Sequence, residues 1–423
     1  MITLYPSQET SAMHLIKALS TYGAALDASD TGTGKTYVAC AVARALKSPE
    51  TLVVCPKSVI PTWNRVASAT GCSVTPVSYE KLRYGSTKWL RRIDRKKFAW
   101  AMDPGSLVIF DEAHRCSGYE SQLSVLMALT RAYRLKTLML SATLAESPLK
   151  MRAAGFLLGL HNFAGCYRWL LANGCRKGFF GGLEPPPASR LPTVMSRIHA
   201  QIFPERGVRL RADEMPEFPE SQIIAEAYAV EDPREIDKAL CELQSLLLDA
   251  QNEGSALTEQ LRLRQIVELC KVGTFIELAE DAVEEGHSVA VFVSFRETLS
   301  RLHARWPDAG ILHGDLATPE RAKQIEKFQS GETPFFICTI SAGGSGVSLH
   351  DLDGSRPRLA LISPTFNAQE MKQVFGRVHR AGGKSKSIQR IVYASDTIEE
   401  HVARRLNVKL KAMEAFNDGD LSV

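Results

Sequence analysis

The chain has 423 residues, of which 45% are hydrophobic and 23% are charged, and its formal net charge is +4. This composition excludes fibrous and disordered proteins, and the length predicts roughly two or three domains. No apolar run approaches the roughly 18 residues that a membrane-spanning helix needs. The nine cysteines are scattered without zinc-binding or redox spacing, so we expect reduced thiols in a cytoplasmic protein.

Short apolar runs alternate with helical patterns near both ends of the chain, which is typical of parallel α/β sheets. The runs are TLVVC (51–55), LVIF (107–110) and TLML (137–140), then SVAVFVSF (288–295), FFICT (335–339), LALI (359–362) and IQRIVY (388–393). The pattern predicts the α/β fold class, with one parallel-sheet lobe at residues 1–145 and another at 286–423. Residues 146–285 are predicted to form a helical insertion and linker.

The predicted linker changes the sign of its charge along its length. Residues 168–211 carry eight basic and two acidic side chains, a net charge of +6, whereas residues 212–259 carry a net charge of −11. Such a swing favours one face that binds an anion. Aromatic residues are interleaved with the basic ones, so this part is a candidate nucleic-acid clamp, and a solvated surface is the alternative. Its candidate phosphate contacts are Arg176, Lys177 and Arg190.

Residues 29–36 read SDTGTGKT and lie between the apolar Ala24–Leu26 and a helical pattern at 37–46. In such a loop, glycines let backbone N–H groups turn toward phosphate, the lysine reaches the β and γ phosphates, and the threonine hydroxyl holds Mg²⁺. Ser29 stands where a Gly or Ala is usual. The segment predicts an ATP-binding P-loop formed by Thr31, Gly32, Thr33, Gly34, Lys35 and Thr36.

Two adjacent carboxylates, Asp111 and Glu112, directly follow the LVIF run in the sequence DEAH. At the end of a strand, Asp111 can hold the Mg²⁺ shell and Glu112 can polarise the water that attacks the γ phosphate. DEAH alone also fits a solvated turn. Behind a P-loop it predicts an ATPase centre, with Thr36 and Asp111 as the Mg²⁺ ligands.

The segment QVFGRVHRAG (373–382) carries two arginines three positions apart. If it is helical, Arg377 and Arg380 lie on one face and can act as arginine fingers on the γ phosphate. A solvated helix surface is the alternative.

Together these segments resemble the motifs of superfamily 2 helicase-like ATPases, most closely the Swi/Snf-type branch of double-stranded DNA translocases. Further family-like segments follow in the family's order: LYPSQ (4–8), LVVCP (52–56), VSYEKL (77–82), SAT (141–143), VFVSF (291–295), HGD (313–315) and SAGGSGVSL (341–349). The branch is indicated by LRLRQIVELC (261–270), ISPTFNAQEMKQ (362–373) and SDTIEEHVARRL (395–406). The resemblance implies two RecA-like lobes with a helical insertion between them.

The resemblance also implies roles for single residues. Gln8 would recognise adenine, and Gly346 would join the nucleotide site. Contacts with the nucleic-acid backbone are implied for Pro56, Lys57, Ser78 and Tyr79 in the first lobe and for Ser294, Phe295, Ser341, Gly343 and Gly344 in the second.

Two features depart from the Swi/Snf pattern. The SAT segment is that of strand-separating helicases, where this branch usually has Gly-Thr, and the linker shows no histone-reading appendage. We therefore expect a compact bacterial, archaeal or phage translocase, acting in the cytoplasm, and not a nucleosome remodeller.

The predicted function is an ATP- and Mg²⁺-dependent motor, acting as a monomer, that moves along DNA and remodels it or displaces bound protein. Duplex or branched DNA is favoured over single strands or RNA. A strand-separating DNA or RNA helicase is the nearest alternative. Alternatives of other classes are a nucleic-acid clamp with a regulatory ATPase and a small-molecule P-loop kinase; the first requires a broken catalytic position, and the second leaves the later motifs unexplained.

Overall fold

A computed structural model describes residues 3–84, 87–94, 97–119, 121–178, 182–229, 234, 236, 238, 241, 253–343, 347–395 and 397–418. The chain forms two compact units. The first comprises Met1–Met215 with Val408–Val423, and the second comprises Pro216–Asn407. Within the described ranges, none of the helices combines the length and the apolar content that crossing a bilayer demands.

The strands are β1 Ala24–Asp27, β2 Thr51–Cys55, β3 Thr75–Ser78, β4 Leu90–Asp94, β5 Lys97–Trp100, β6 Leu107–Asp111, β7 Lys136–Leu140, β8 Arg176–Lys177, β9 Leu183–Glu184, β10 Gly207–Val208, β11 Ser221–Tyr228, β12 Ser288–Val293, β13 Gly310–Leu312, β14 Phe335–Thr339, β15 Arg358–Ile362 and β16 Ser387–Ala394.

The helices are α1 Pro6–Tyr22, α2 Lys35–Leu46, α3 Ile60–Thr70, α4 Tyr79–Tyr84, α5 Gln122–Leu129, α6 Arg152–Leu157, α7 Cys166–Ala172, α8 Leu191–His199, α9 Glu253–Cys270, α10 Val272–Glu284, α11 Arg296–Arg305, α12 Thr318–Gln329, α13 Ile340–Gly343, α14 Ala368–Phe375 and α15 Ile398–Asp418. Single-turn helices cover Lys57–Val59, Ala113–Cys116, Pro148–Met151 and Ala212–Glu214.

The first unit is built on a parallel sheet with the strand order β10-β1-β7-β6-β2-β3. Both faces of this sheet are covered, so its strands β1 and β2 are mostly apolar and are buried along their whole length. Successive residues enter different cores: Val54 belongs to one hydrophobic cluster, and Val53 belongs to the cluster on the other face.

The second unit repeats this plan with the strand order β11-β16-β15-β12-β14-β13, again with every neighbouring pair parallel. Its central strand β12 is buried along its whole length. Val289, Val291 and Val293 pack with Phe275 of α10 in one core. The seven predicted apolar runs all coincide with strands of the two sheets, and the α/β prediction of two parallel-sheet lobes is confirmed.

The predicted linker at 146–285 does not form a separate body, because the structure divides it between the two units. β10 extends the first sheet beside β1, with Leu26 opposite Gly207, and Met195 and Ile198 of α8 are buried in the first core. β11 instead pairs with β16 at the edge of the second sheet. Strand pairing and apolar burial therefore assign residues 146–215 of this segment to the first unit and residues 216–285 to the second.

Candidate ATPase site and nucleic-acid contacts

The predicted ATPase residues meet at one edge of the first sheet. β1 ends at Asp27 before the P-loop, β6 ends at Asp111, and β7 ends at Leu140 before Ser141. Because β1, β7 and β6 are neighbours in a parallel sheet, their carboxyl ends lie side by side. The structure thus brings the P-loop, the DEAH segment and the SAT segment together.

Gly34 closes the P-loop directly before α2. Its φ is +86°, a left-handed conformation that favours glycine, and a β-carbon there would collide with Gln8 Nε2. Gln8 is buried in α1 and donates from Nε2 to Thr33 O at 2.8 Å. The residue predicted to recognise adenine therefore also braces the loop, and a glycine leaves room for it.

The Lys35 ammonium lies inside the P-loop. Nζ donates to Ser29 O at 2.7 Å and to Asp30 O at 2.8 Å. Burial lowers the pKa of Lys35, whereas the carboxylates of Asp27 and Glu112 act to raise it. The loop carbonyls are thus the ligands of the Lys35 ammonium, and phosphate oxygens can take their place.

Asp111 is fixed by two aromatic side chains. Trp63 Nε1 donates to Asp111 Oδ2 at 2.8 Å, and the Tyr79 hydroxyl donates to Asp111 O, also at 2.8 Å. Burial raises the pKa of Asp111 to about 6 and the Glu112 carboxylate adds to the rise, whereas the Trp63 hydrogen bond opposes it. The tryptophan therefore favours the ionised carboxylate that a metal ligand must be.

Glu112 has a left-handed backbone with φ +57°, which residues other than glycine rarely adopt. Its Oε2 lies 3.2 Å from His114 Nδ1. The same ring nitrogen lies 3.3 Å from Ser141 Oγ and 3.4 Å from Thr143 Oγ1. His114 therefore links the predicted catalytic carboxylate to the SAT segment.

The oxygen atoms near Lys35 suit a hard divalent cation. Asp27 Oδ2 is buried and has no hydrogen-bond partner in the described part of the chain, and Asp111 and Thr36 add a carboxylate and a hydroxyl. The described residues contain no group of three His, Cys, Asp or Glu side chains that could hold a metal ion. Mg²⁺ typically takes one or two protein oxygens and completes its shell with nucleotide phosphates and water. The residues therefore fit Mg²⁺ as a companion of bound ATP.

Residues 209–212 hold the P-loop by hydrogen bonds, a role that the sequence analysis did not predict. Arg209 Nη1 donates to Ala28 O at 2.9 Å and to Asp30 Oδ1 at 2.7 Å. The backbone N–H groups of Leu210 and Ala212 donate to Ser29 Oγ and Asp30 Oδ2. In the sequence, Arg209 was one more charge in the basic stretch; only the pairing of β10 with β1 places it at the loop.

In the second unit, Arg377 and Arg380 converge on one acceptor. Arg377 Nη1 and Arg380 Nη2 donate to Val347 O at 3.2 and 3.0 Å. The condition that these two residues be helical is not met, because α14 ends at Phe375. The backbone turns away there, and Arg377 O accepts the Leu349 N–H instead of continuing the helix. The two guanidinium groups are nevertheless held together.

The residues predicted to contact nucleic acid in the second unit follow β12 and β14. Ser294 and Phe295 come directly after β12 and are half-buried. Ser341 is exposed on α13, whereas Gly343 is buried, and a β-carbon there would lie 2.9 Å from Cys338 Sγ. Two further predicted residues, Gly344 and Gly346, lie outside the described residues.

The four residues predicted to contact nucleic acid in the first unit differ in exposure. Lys57 is exposed after β2, next to the buried Pro56. Ser78 is buried and accepts the Lys81 N–H, and Tyr79 is only 1% exposed, with its hydroxyl on Asp111 O. A phosphate contact by the Tyr79 side chain is therefore not supported, because its hydroxyl is used to support Asp111.

The basic stretch divides into exposed and engaged residues. Arg176 and Lys177 form the exposed strand β8, where Arg176 pairs with Glu184, and Arg190 is exposed directly before α8. Arg209, by contrast, is engaged at the P-loop. The stretch is therefore not one continuous basic face, and its candidate phosphate contacts are those on β8 and at the start of α8.

Comparison with known proteins places this geometry in a family. Residues 270–382 match the helicase conserved C-terminal domain. A protein of Acanthamoeba polyphaga mimivirus, whose name describes an ATP-dependent RNA helicase, is 30% identical over 99% of this chain and 84% of its own length. The SNF2 domain-containing protein ENL1 of Oryza sativa subsp. japonica is 28% identical over 31% of this chain. The DNA repair and recombination protein RAD54-like of Gallus gallus is 33% identical over 22% of this chain.

The last two matches cover only 14% and 13% of those longer relatives. Among solved structures, S. cerevisiae Dbp5 bound to RNA and ADP BeF3 is 14% identical, with a TM-score of 0.51 over 96% of this chain and 88% of its own, which shows the shared fold. The chain therefore belongs to the superfamily 2 helicase-like ATPases, with two RecA-like lobes, and it is an ATP-hydrolysing enzyme.

Proposed function

We propose that the protein is a motor that couples ATP hydrolysis to movement along duplex DNA, and that it remodels the DNA or displaces proteins bound to it. One observation carries the proposal. Lys35, Asp111 and Glu112 meet at the edge of one parallel sheet, while a second parallel-sheet unit holds Arg377 and Arg380 on a common acceptor. A small-molecule kinase has no use for the second set.

The chain's own side chains suggest how hydrolysis proceeds. Lys35 would exchange its loop carbonyls for the β and γ phosphates, and Glu112 would accept a proton from the attacking water. Asp111 and Thr36 would hold Mg²⁺, which when bound neutralises charge on the phosphates. Arg377 and Arg380 would stabilise the charge that develops on the γ phosphate.

His114 can couple the protonation state of Glu112 to the SAT segment, which follows the neighbouring strand β7. Its Nδ1 faces the Glu112 carboxylate and both hydroxyl groups of the SAT segment. A proton gained or lost by Glu112 changes which of these contacts is favourable. We infer that a change at Glu112 during hydrolysis is transmitted to the SAT segment through this hydrogen-bonded group.

The names of the relatives point to different nucleic acids: some name DNA, and one names RNA. The RAD54-like proteins are named for DNA repair and recombination, and the mimivirus relative for RNA. The segments at residues 261–270, 362–373 and 395–406 resemble the pattern of duplex DNA translocases, and this resemblance supports the first alternative. Strand separation of DNA or RNA is the second candidate, because the SAT segment is typical of helicases that act in that way.

The ATPase rate measured with different nucleic acids tests the proposal. Duplex DNA, single-stranded DNA, forked DNA and a structured RNA are compared at equal phosphate concentration and one salt concentration. We expect duplex or forked DNA to stimulate most. Strongest stimulation by RNA or by single strands would replace the duplex motor with a strand-separating helicase, and no stimulation at all would favour the clamp.

A further inference from the structure

A buried polar network lies in the second unit, apart from the predicted ATPase residues. Its three charged members are Glu268, Lys271 and Glu399, each at most 3% exposed. They come from the end of α9, the residue between α9 and α10, and the first turn of α15. Burying such charges is costly unless each finds a partner.

Lys271 and Glu399 satisfy one another. Lys271 Nζ donates to Glu399 Oε1 at 2.8 Å, to Val392 O at 2.9 Å and to Ser363 Oγ at 3.3 Å. The remaining Glu399 oxygen, Oε2, accepts the Ala394 N–H at 2.8 Å. This pair therefore ties the carboxyl ends of β15 and β16 to α15.

Glu268 makes a different set of contacts. Its Oε2 accepts the Ser294 N–H at 2.8 Å, and its Oε1 accepts the Phe295 N–H at 3.0 Å. These are the first two residues after β12, and α11 begins at the next position. Both oxygens of one buried carboxylate thus fix the backbone of two consecutive residues, which sets the direction in which the chain leaves the sheet.

The neighbouring Arg264 contacts the Phe295 side chain of the same segment. Its guanidinium carbon lies 6.0 Å from the centre of the Phe295 ring and 5.1 Å from that of Phe366. Burial lowers the pKa of Arg264, and the nearby Glu268 carboxylate opposes this shift. The half-buried Phe295 is therefore held at both its backbone and its ring.

We propose that Glu268 is a positioning residue for nucleic-acid binding, which fixes the Ser294–Phe295 segment in the orientation that meets the sugar-phosphate backbone. This inference rests on the proposed function, because it assumes that the segment after β12 binds nucleic acid. Glu268 itself is buried and does not touch the ligand.

The test compares three variants by the duplex DNA concentration that gives half-maximal ATPase stimulation. Glu268→Gln puts an N–H group against one of the two backbone N–H groups, so we expect the half-stimulating concentration to rise about tenfold or more, with a smaller change in the maximal rate. Lys271→Met breaks the neighbouring pair without touching either backbone N–H. Glu277→Gln removes an equal charge from an exposed position on α10.

Each variant is measured at the same interval below its own Tm, so that loss of stability is not read as loss of binding. Hydrogen exchange of residues 292–297 without nucleic acid gives a second readout, and faster exchange is expected in Glu268→Gln only. The inference is overturned if Lys271→Met raises the half-stimulating concentration as much as Glu268→Gln, or if Glu268→Gln matches wild type. A wild-type enzyme that no nucleic acid stimulates would instead contradict the proposed function.

Discussion

Arg209 and Asp30 form an ion pair 2.7 Å long at the back of the P-loop. The Asp30 backbone carbonyl accepts hydrogen bonds from Lys35 Nζ and from Thr33 Oγ1, both at 2.8 Å. A short chain of contacts therefore runs from a guanidinium after β10 to the lysine that is predicted to bind the nucleotide. Because the Arg209 side chain is only 11% exposed, solvent screens this pair much less than a surface pair.

We predict that Arg209→Gln raises the KM for ATP by roughly tenfold, because a loosened loop binds the phosphates less well. Arg209→Lys restores the charge but not the two-acceptor geometry, and it is expected to recover only part of the affinity. Arg168→Gln, which removes an exposed arginine of the same basic stretch, is the matched control. An unchanged KM in Arg209→Gln would show that these hydrogen bonds are dispensable.

We expect substitutions of Glu112 and Lys35 to affect different steps, the first ATP turnover and the second ATP binding. Glu112→Gln keeps Asp111 and Lys35, so we expect ATP to bind while turnover falls by roughly a hundredfold or more. Lys35→Ala removes the charge that meets the phosphates, and ATP affinity itself should fall. Equilibrium nucleotide binding and steady-state turnover separate the two effects. Near-normal turnover in Glu112→Gln would contradict its assignment as the base.

We predict that the free energy of unfolding decreases at acidic pH because of the buried His350 side chain. Burial lowers the pKa of its imidazole from 6.5 to about 4, and the nearby Arg380 and Arg358 add to the effect. Between these two pH values the unfolded chain takes up a proton that the folded protein does not, so stability falls as the pH falls from 6.5 toward 4. The loss reaches about 2 to 3 kcal/mol, after allowance for the ring's contact with solvent.

Chemical unfolding at several pH values measures this effect. His350→Asn removes the titrating ring, so its unfolding free energy should decline less steeply over that interval than the wild-type value. Curves that run parallel for the two proteins would exclude His350 as the source.

The exposed basic residues of the insertion make a prediction about salt. If Arg176, Lys177 and Arg190 each contact a phosphate, replacing all three with Ala lowers the slope of log affinity against log salt by about 0.9 per lost contact on duplex DNA. ATP affinity should be unaffected, because these residues lie outside the P-loop. Lys17→Ala with Arg65→Ala removes exposed charges elsewhere on the first unit and serves as the control. A slope equal to that of wild type would identify the insertion as a solvated surface.

Local patterns in the sequence predicted the strands and the P-loop because each depends on adjacent residues. Continuous apolar runs such as TLVVC indicate buried parallel strands, and Gly34 followed by Lys35 marks the turn into α2. Long-range pairing left no such pattern. Arg209 reaches the P-loop only because β10 joins β1, and Glu268 of α9 meets Ser294, 26 positions along the chain, only in the folded unit.

Backbone breaks were also hard to predict. Residues 373–380 have helical spacing, but α14 ends at Phe375, and beyond it the Arg377 carbonyl accepts the Leu349 N–H. Similarly, Tyr79 lies in a segment that resembles a nucleic-acid motif, yet its hydroxyl donates a hydrogen bond to the Asp111 backbone carbonyl. In both cases the hydrogen-bond partner is distant in the sequence, so local patterns do not indicate it.

Displacement of a triplex-forming third strand from duplex DNA tests most directly whether the protein moves along duplex. We expect ATP-dependent release of the third strand when duplex extends to one side of the triplex, with little separation of a plain tailed duplex. Glu112→Gln should bind the same DNA without releasing the strand. Efficient unwinding of the tailed duplex by the wild-type protein, with no triplex displacement, would contradict the duplex motor.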